Sequence, residues 1–430
     1  MAKWKDILGK NARNRIYLRF NKKKARRLAD SKLRTKSLLL KHDLPAPKLF
    51  AVFKKPEEIM QFAWEDLPGN FVLKPSEGYG GEGIIVVKKK AKWAGEWELM
   101  DGSIVNIGFL RMHALDILAG KYSLHGLRDR AFVEERIKIH KVFRKYAFQG
   151  TPDVRVIVFN KVPVMAMLRL PTRESHGKAN LHQGAIGVGI DMATGITTYG
   201  VVYNQPIKYL PGTKRKLNGI KIPFWSRILE FSICIQEILP SLGFLAVDFV
   251  LDRKKGPMIL EINARPGLSI QIANRAGLRR RLERVEGLKV RNVEHGVKIA
   301  KALFAESFAD KVKAEEGIKI VNVFEGVEVL AADGKTKIPV LAKIDTGAFR
   351  SSIDRGLAEE LGLLEPENIL FERYARGALG RKKRPVIELI FYLKGKKMKT
   401  AVSVSDRSKL RAPLLIGRND LQPFLVSVGE

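Results

Sequence analysis

The chain has 430 residues, of which 45% are hydrophobic and 29% are charged, proportions typical of a globular protein with two or three domains. It carries 78 Lys and Arg against 45 Asp and Glu, a formal net charge of +33, which favours anionic partners without choosing among them. Its single cysteine, Cys234, excludes an internal disulfide and a cysteine-built zinc site.

No uninterrupted apolar run of about 18 residues occurs, so we expect no membrane span. Charged residues interrupt the first 20 positions, unlike the apolar core of a signal peptide. Together with the lone cysteine, these features predict a cytoplasmic protein.

A basic segment opens the chain, and we expect one or two helices in it up to Ala29. The Asp30-Ser31 pair then predicts the N-cap of a helix that runs to His42, because Ser and Asp side chains accept hydrogen bonds from the first free amides of a helix. Pro45 and Pro47 end that helix.

A glycine-rich turn lies between two β runs, residues 71–74 and 84–87, and predicts a hairpin. Its glycines are Gly78, Gly80, Gly81 and Gly83. They allow backbone amides to approach an oxyanion, and Lys74 adds a nearby cation, so the pattern favours a phosphate cradle. The loop neither opens into a helix nor ends in Gly-Lys-Ser/Thr, so it is neither a Rossmann fingerprint nor a P-loop, and a flexible hairpin tip is the alternative.

The rest of the first 300 residues predicts an α+β fold built on antiparallel hairpins. The expected elements are a helix at 107–125, a strand at 131–137, a strand pair at 154–159 and 162–170, a helix at 224–239, and strands at 244–251 and 258–263.

The last of these hairpins predicts a metal site. With a turn at 252–257, Leu251 pairs with Met258, and Asp248 then lies opposite Glu261. Asn263 is two residues further along the strand and shares that face. Two carboxylates and an amide oxygen suit Mg²⁺ held against nucleotide phosphates, whereas solvated polar residues would be unusual within such apolar runs.

These motifs resemble the ATP-grasp superfamily, and in particular the RimK-related alpha-L-glutamate ligase-like proteins. The matching segments are Lys74 with the glycine turn, Glu134-Glu135, Asp153 to Arg155, Gly177 to Gly184, Asp248, and Glu261 to Gly267. The resemblance spans most of residues 11–280. It implies two α+β lobes that sandwich ATP and a ligase that forms an amide through an acyl phosphate.

The resemblance also implies residue roles. The implied ATP-binding residues are Lys32, Lys74, Gly78, Gly80, Gly81, Gly83, Glu135, Arg136, Asp153, Lys178 and Asn180. Asp248, Glu261 and Asn263 would bind two Mg²⁺ ions, with Mn²⁺ as an alternative. Arg169 and Arg265 would hold the substrate carboxylate or the acyl phosphate, because a guanidinium binds a carboxylate in a bidentate manner.

A second candidate site lies in a mostly β region that we expect from residue 318, with strands at 318–330, 337–345, 386–393 and 399–404. Asp345-Thr346-Gly347 follows an apolar strand, as in one half-site of an aspartic peptidase, although by spacing alone an ordinary turn is the simpler interpretation. The segment Pro413 to Arg418 resembles the element that packs behind such loops in retropepsins. No His-Glu-x-x-His motif occurs, so zinc is not expected.

The sequence therefore predicts four regions: a basic helical segment (1–30), an ATP-grasp ligase domain (31–300), a linker (301–317) and a retropepsin-like domain (318–430). The expected function is ATP-dependent addition of glutamate, or a similar amino acid, to an acidic peptide or small acceptor, with a second domain that cleaves or binds the product. Because only one Asp-Thr-Gly is present, we expect a homodimer through residues 318–430. The alternatives are an RNA- or ribosome-binding protein with a degenerate ATP site and a dimeric aspartic peptidase regulated by ATP.

Overall fold

A computed structural model describes residues 4–78, 80–123, 126–305, 319–377, 380–422 and 424–426. The chain divides into two compact units. The first consists of Met1–Ile190 and Gly195–Glu286, and the second of Asp191–Thr194 and Gly287–Glu430. Within the described residues, no helix is both long and apolar enough to cross a membrane.

Eight α-helices and thirteen strands make up the described part of the first unit. The helices are α1 (Lys10–Ala12), α2 (Lys23–Ala29), α3 (Lys32–Lys41), α4 (Pro56–Gln61), α5 (Ile107–Leu118), α6 (Trp225–Ile238), α7 (Ile270–Asn274) and α8 (Leu278–Val285). The strands are β1 (Leu49–Phe53), β2 (Phe71–Pro75), β3 (Ile85–Lys90), β4 (Glu96–Leu99), β5 (Ile104–Asn106), β6 (Ala131–Glu135), β7 (Asp153–Phe159), β8 (Val162–Leu170), β9 (Ile186–Ile190), β10 (Thr197–Val202), β11 (Gln205–Ile207), β12 (Phe244–Asp252) and β13 (Gly256–Asn263).

These strands form two antiparallel sheets. The first has the order β1-β6-β2-β3-β4-β5, and the second has the order β11-β10-β9-β8-β7-β12-β13. The first sheet packs α4 and α5 over a core that contains Phe71, Trp97 and Leu110. In the second sheet, β12 is buried along its whole length, as expected for a strand covered on both faces. The α+β class and the antiparallel hairpins predicted from the sequence are confirmed.

The basic N-terminal segment is divided into short helical pieces and is not one continuous helix. Tyr17 anchors it by packing its ring against Phe159 at 5.6 Å and Phe244 at 5.8 Å. Asn21 donates hydrogen bonds to the carbonyls of Phe244 and Ala264. The predicted cap is confirmed, because the Ser31 side chain accepts from the amide of Arg34 at the start of α3.

In its described residues, the second unit is a strand barrel with two helices, α9 (Val293–Leu303) and the helix Arg355–Glu360. Its strands are β14 (Lys319–Val321), β15 (Phe324–Leu330), β16 (Lys337–Asp345), β17 (Ser352–Asp354), β18 (Ile369–Gly377), β19 (Gly380–Leu393), β20 (Lys396–Ser405), β21 (Leu414–Gly417) and β22 (Phe424–Val426). Strands β15, β16, β21, β17, β20 and β19 follow one another in the sheet, and β15 also pairs with β19, so these six strands close into a ring.

Two features of this unit differ from the sequence prediction. Helix α9, most of which falls within the predicted ligase domain (31–300), belongs to the second unit, where His295 contacts the carbonyl of Leu370 at 2.9 Å. Strand β18 was not predicted, because charged residues interrupt its apolar positions. Most of the predicted linker falls on residues 306–318, which lie outside the described residues.

Candidate functional site

The glycine-rich turn joins β2 and β3, as the sequence predicts, with Phe71 paired to Val87 and Leu73 paired to Ile85. Gly80, Gly81 and Gly83 all have positive φ, between 66° and 85°, which side chains with a Cβ rarely adopt. The loop therefore needs glycine at these positions for its backbone shape. Tyr79 lies outside the described residues.

A buried cluster of charges lies beside this loop. Lys74 on β2 forms an ion pair with Glu134 on β6, and Lys36 on α3 places its Nζ 2.7 Å from the other oxygen of Glu134. One helical turn earlier, Lys32 donates a hydrogen bond of 2.8 Å to the carbonyl of Gly78 at the start of the loop. Two ammonium groups thus share the Glu134 carboxylate, and Lys32 adds a third positive charge beside the glycine loop.

Electrostatics within this cluster favour a bound anion. Burial lowers the pKa of Lys32, with Glu261 as the strongest opposing charge, and burial lowers the pKa of Lys36, with Glu134 as the strongest opposing charge. Burial alone would raise the pKa of Glu134, but Lys74 and Lys36 outweigh it and lower that pKa. Glu134 therefore stays ionised, and a phosphate would supply the negative charge that the lysines lack.

The predicted metal site lies on β12 and β13, where Asp248 pairs directly with Glu261. The route to this register differs from the prediction. Leu251 pairs with Pro257 and not with Met258, because the strands still pair at Asp252 and Gly256 and leave a turn of only three residues (253–255). A bulge between Phe249 and Asp248 restores the expected alignment. Asn263 donates to both carboxylates, at 3.1 Å to Asp248 and 3.2 Å to Glu261.

Two arginines hold Asp248. Arg155 on the neighbouring strand β7 binds it in a bidentate manner, with distances of 2.7 and 2.6 Å. Arg169 on β8 binds Asp153 in the same manner, with two contacts of 2.6 Å, and reaches Asp248 at 2.9 Å. Arg169 is therefore fully engaged in a buried network and does not point to open space, as a residue that holds substrate would. Asp153 is likewise buried and paired with Arg169, whereas the resemblance implied a contact with ribose.

The pKa values follow from this network. Burial alone would raise the pKa of Asp248, but Arg155 and Arg169 lower it, so this carboxylate stays ionised. Burial raises the pKa of Asp153 despite its pairing with Arg169, and the charge of Asp248 adds to that rise. Burial opposes the charge of Arg169, yet Asp153 and Asp248 raise its pKa.

The chemistry of these side chains fits a divalent cation at Glu261. Three carboxylates (Asp153, Asp248 and Glu261) face two guanidinium groups, so one negative charge is left over. Glu261 is the exposed member, with 34% of its side chain accessible against 1% for Asp248. Among the described residues, no group of three or more His, Cys, Asp or Glu side chains is arranged to hold a metal by itself. Bound phosphates and water would have to complete the coordination, as is usual for Mg²⁺.

The other predicted ATP-binding residues lie outside the two buried charge clusters. Glu135 forms an ion pair with Lys255 at 2.6 Å, and Arg136 donates to the carbonyl of Lys88 at 3.3 Å. Lys178 pairs with Glu82 of the glycine loop. Asn180 caps a short helical turn by accepting from the amide of His182. The loop that carries Lys178 and Asn180 therefore meets the glycine loop.

Arg265, the other predicted substrate contact, forms an ion pair with Asp30 at 2.8 Å. About half of each side chain is exposed to solvent. Water screens such a pair, so it is weak and a substrate carboxylate can replace Asp30.

Two residues of the charge cluster were missed. Lys36 lies four positions after Lys32 and therefore on the same face of α3, which is a signal that the sequence did carry. Glu134 was noticed only as the neighbour of Glu135. Its location between two lysines depends on α3 and β2 meeting β6, which no local pattern reveals.

In the second unit, Asp345 ends β16 beside Gly417 of β21. Its Oδ1 accepts hydrogen bonds of 2.9 Å from the amides of Gly347 and Ala348. The half-buried carboxylate of Asp345 thus holds the backbone of the loop that follows it.

The family model for sugar-transfer associated ATP-grasp proteins matches residues 11–287, which include both charge clusters and the glycine loop. The chain belongs to this family. The ATP-grasp superfamily predicted from the sequence is confirmed, whereas the RimK-related subfamily is not. No curated protein is similar to the chain in sequence.

Parts of the chain match solved structures, among them the following three. The ATP-grasp ligase PsnB with its minimal precursor is 14% identical over 62% of this chain and 61% of PsnB, with a TM-score of 0.33. The D-alanine–D-alanine ligase from Bacillus anthracis with ATP is 12% identical over 64% of this chain and 68% of its own, also with a TM-score of 0.33. The protease of Simian foamy virus (mac) is 18% identical over 23% of this chain and 90% of its own, with a TM-score of 0.18. All three scores are below 0.5, so the family match alone supports the assignment.

At the level of reaction class, the family supports an ATP-binding, ligase-like protein with an ATP-grasp fold.

Proposed function

We propose that the chain is an ATP-dependent carboxylate-amine ligase. One observation carries the proposal: α3, which carries Lys32 and Lys36, contacts β13, which carries Glu261 and Asn263, so the positive cluster at the glycine loop and the negative cluster around Asp248 are neighbours. A polyphosphate needs cations along its length and a carboxylate-bound divalent ion at its reacting end. Those two requirements correspond to the two clusters.

The chemistry is the activation of a poor acyl donor. A carboxylate has no adequate leaving group, so transfer of the γ-phosphoryl group first gives an acyl phosphate, and an amine then displaces phosphate to form an amide. Lys32, Lys36 and Lys74 would bind phosphate oxygens, while Glu261, Asn263 and Asp248 would hold Mg²⁺. When bound, that ion would neutralise charge on the transferring group.

Each arginine then has a separate task. Arg155 and Arg169 would position the carboxylates, because their guanidinium groups already bind Asp248 and Asp153. Arg265 would contact the substrate carboxylate, since only exposed Asp30 competes for it. The resemblance to RimK-related proteins supports glutamate as the amino acid and an acidic peptide or small molecule as the acceptor.

The test compares Glu261→Gln with Asp248→Asn. Because Glu261 is partly exposed, its substitution should leave the free energy of unfolding nearly unchanged but abolish Mg²⁺-dependent ADP formation. Asp248→Asn should lower both the free energy of unfolding and ADP formation, because it also leaves two buried guanidinium groups without a full partner. The assay measures ADP release across the amino acids, with mass spectrometry of the product. Full activity in Glu261→Gln would contradict the metal assignment.

A second activity is proposed for Asp345. Its hydrogen-bonded loop beside Gly417 supports an aspartic peptidase half-site, which would require a second copy of the chain to complete it. We expect the protein to sediment as a dimer and to cleave acidic peptides at acid pH, and Asp345→Asn to lose the cleavage but keep the dimer. A strictly monomeric protein, or a fully active variant, would contradict this proposal.

A further inference from the structure

The end of the glycine loop is held by a histidine that the sequence did not single out. His113 on α5 contacts the carbonyl oxygen of Gly83 through Nε2 at 2.9 Å. A carbonyl only accepts hydrogen bonds, so Nε2 carries the proton. The other ring nitrogen, Nδ1, is then free to accept from the hydroxyl of Tyr122, which lies 3.3 Å away.

The contact between Gly83 and Tyr122 is close packed. A Cβ at Gly83 would lie 2.5 Å from the ring of Tyr122, so only glycine fits against it. The rings of His113 and Tyr122 lie 5.1 Å apart. Burial lowers the pKa of His113, which favours the neutral ring that this arrangement uses.

The first end of the loop is braced by the residue next to Tyr122. Ser123 forms a β-bridge with Gly78, and its hydroxyl donates to Asp129 at 3.0 Å. Asp129 in turn accepts from the amide of Glu77, at 2.9 Å. Two consecutive residues, Tyr122 and Ser123, therefore contact the two ends of the glycine loop.

His113 itself is held in place by the core. Its neighbours on α5, Leu110, Ala114 and Ile117, are completely buried beneath the first sheet. The imidazole is thus fixed relative to β2 and β3, and it transmits that position to a loop whose glycines would otherwise be free to move.

We propose that His113 is a positioning residue that, together with Tyr122, holds the glycine loop as a preformed cradle for the phosphates of ATP. The inference rests on the proposed function, because it assigns those phosphates to the loop. It adds a residue that does not itself contact the phosphates but sets the affinity of the loop for them.

The experiment compares His113→Leu, which removes the donor, with His113→Gln, whose amide can still donate to the carbonyl of Gly83. Tyr122→Phe removes only the second hydrogen bond and serves if His113→Leu fails to fold. His42→Gln, an exposed histidine at the end of α3, is the matched control. Equilibrium binding of ATP and of adenosine is measured for each variant, and amide hydrogen exchange of residues 80–83 is measured without nucleotide.

We expect His113→Leu to weaken ATP binding by about fivefold to tenfold, the effect of one hydrogen bond, while adenosine binding stays within about twofold. Exchange in residues 80–83 should accelerate, and His113→Gln should recover most of both effects. Equal losses for ATP and adenosine, or unchanged exchange, would overturn the positioning role. If exchange accelerates but the wild-type protein binds no ATP, the proposed function and the phosphate role both fail, while the contact between His113 and the loop stands.

Discussion

Glu134 shows how a single buried charge organises the nucleotide site. Its side chain is 3% exposed and lies between Lys36 and Lys74, which come from different elements. Without it, the two ammonium groups would repel each other in a region from which water is largely excluded. Glu134 therefore stabilises a cluster that would otherwise oppose folding until an anion binds.

Replacing this carboxylate tests that role. Glu134→Gln should reduce the free energy of unfolding by roughly 3 kcal/mol, because it leaves two buried lysines without their shared partner. Urea unfolding measures the change. Glu98→Gln is the matched control, since Glu98 also pairs with two lysines, Lys88 and Lys89, but at the surface, and should change little.

The effect of Glu134→Gln on the free energy of unfolding should also depend on pH. The pKa of Glu134 is lower in the folded chain than in the unfolded one, so its contribution is fully present above the unfolded pKa of about 4.3 and is lost as the pH falls below it. The difference in stability between wild type and Glu134→Gln should be constant near neutral pH and narrow below about pH 4.5. A difference that widened in acid would contradict the assigned ionisation.

Among secondary-structure elements, hairpins were the most predictable part of the fold. The turn between the predicted strands 154–159 and 162–170 was located correctly, because two nearly continuous apolar runs end on either side of Asn160 and Lys161. The pairing of Asp248 with Glu261 was also correct, but only because a bulge compensated for a shorter turn. Contacts between strands that are far apart in the sequence, such as that of Arg155 on β7 with Asp248 on β12, depend on the order of strands in the sheet, and periodicity alone does not specify that order.

A close approach between β9 and α7 gives a prediction at this scale. A Cβ at Gly189 would lie 2.5 Å from the carbonyl oxygen of Ala273, which is backbone and cannot move aside easily. Gly189→Ala should therefore cost about 1–3 kcal/mol of stability in urea unfolding. Gly187→Ala is the control on the same strand, because its Cβ would meet the flexible end of Leu181, and it should lose clearly less.

At the scale of the whole molecule, the division of the chain into units follows buried contacts more closely than composition. The predicted boundary of the ligase domain at residue 300 placed most of α9 in that domain. Within the second unit, however, α9 buries Val297, Ile299 and Leu303. Its apolar face identifies it as a packed helix, but the sequence alone did not reveal which core it joins.

This division predicts how the second unit behaves when it is expressed alone. A fragment of residues 287–430 should fold and unfold cooperatively, because it includes α9. A fragment of residues 318–430 should have a lower melting temperature and bind hydrophobic dyes, since it exposes the surface that α9 covers. Thermal unfolding and dye binding of both fragments provide the comparison, and equal stability would contradict the assignment of α9.

The closed ring of strands in the second unit also affects how the protein behaves in concentrated solution. An open sheet offers unpaired amides and carbonyls along its outer strands, and these can recruit other chains into aggregates. The ring removes that hazard for its six members, which leaves β18 as the described strand of this sheet with an unpaired side. Glu372 and Arg373 place opposite charges on β18, a composition that discourages a second β18 from adding alongside in most registers.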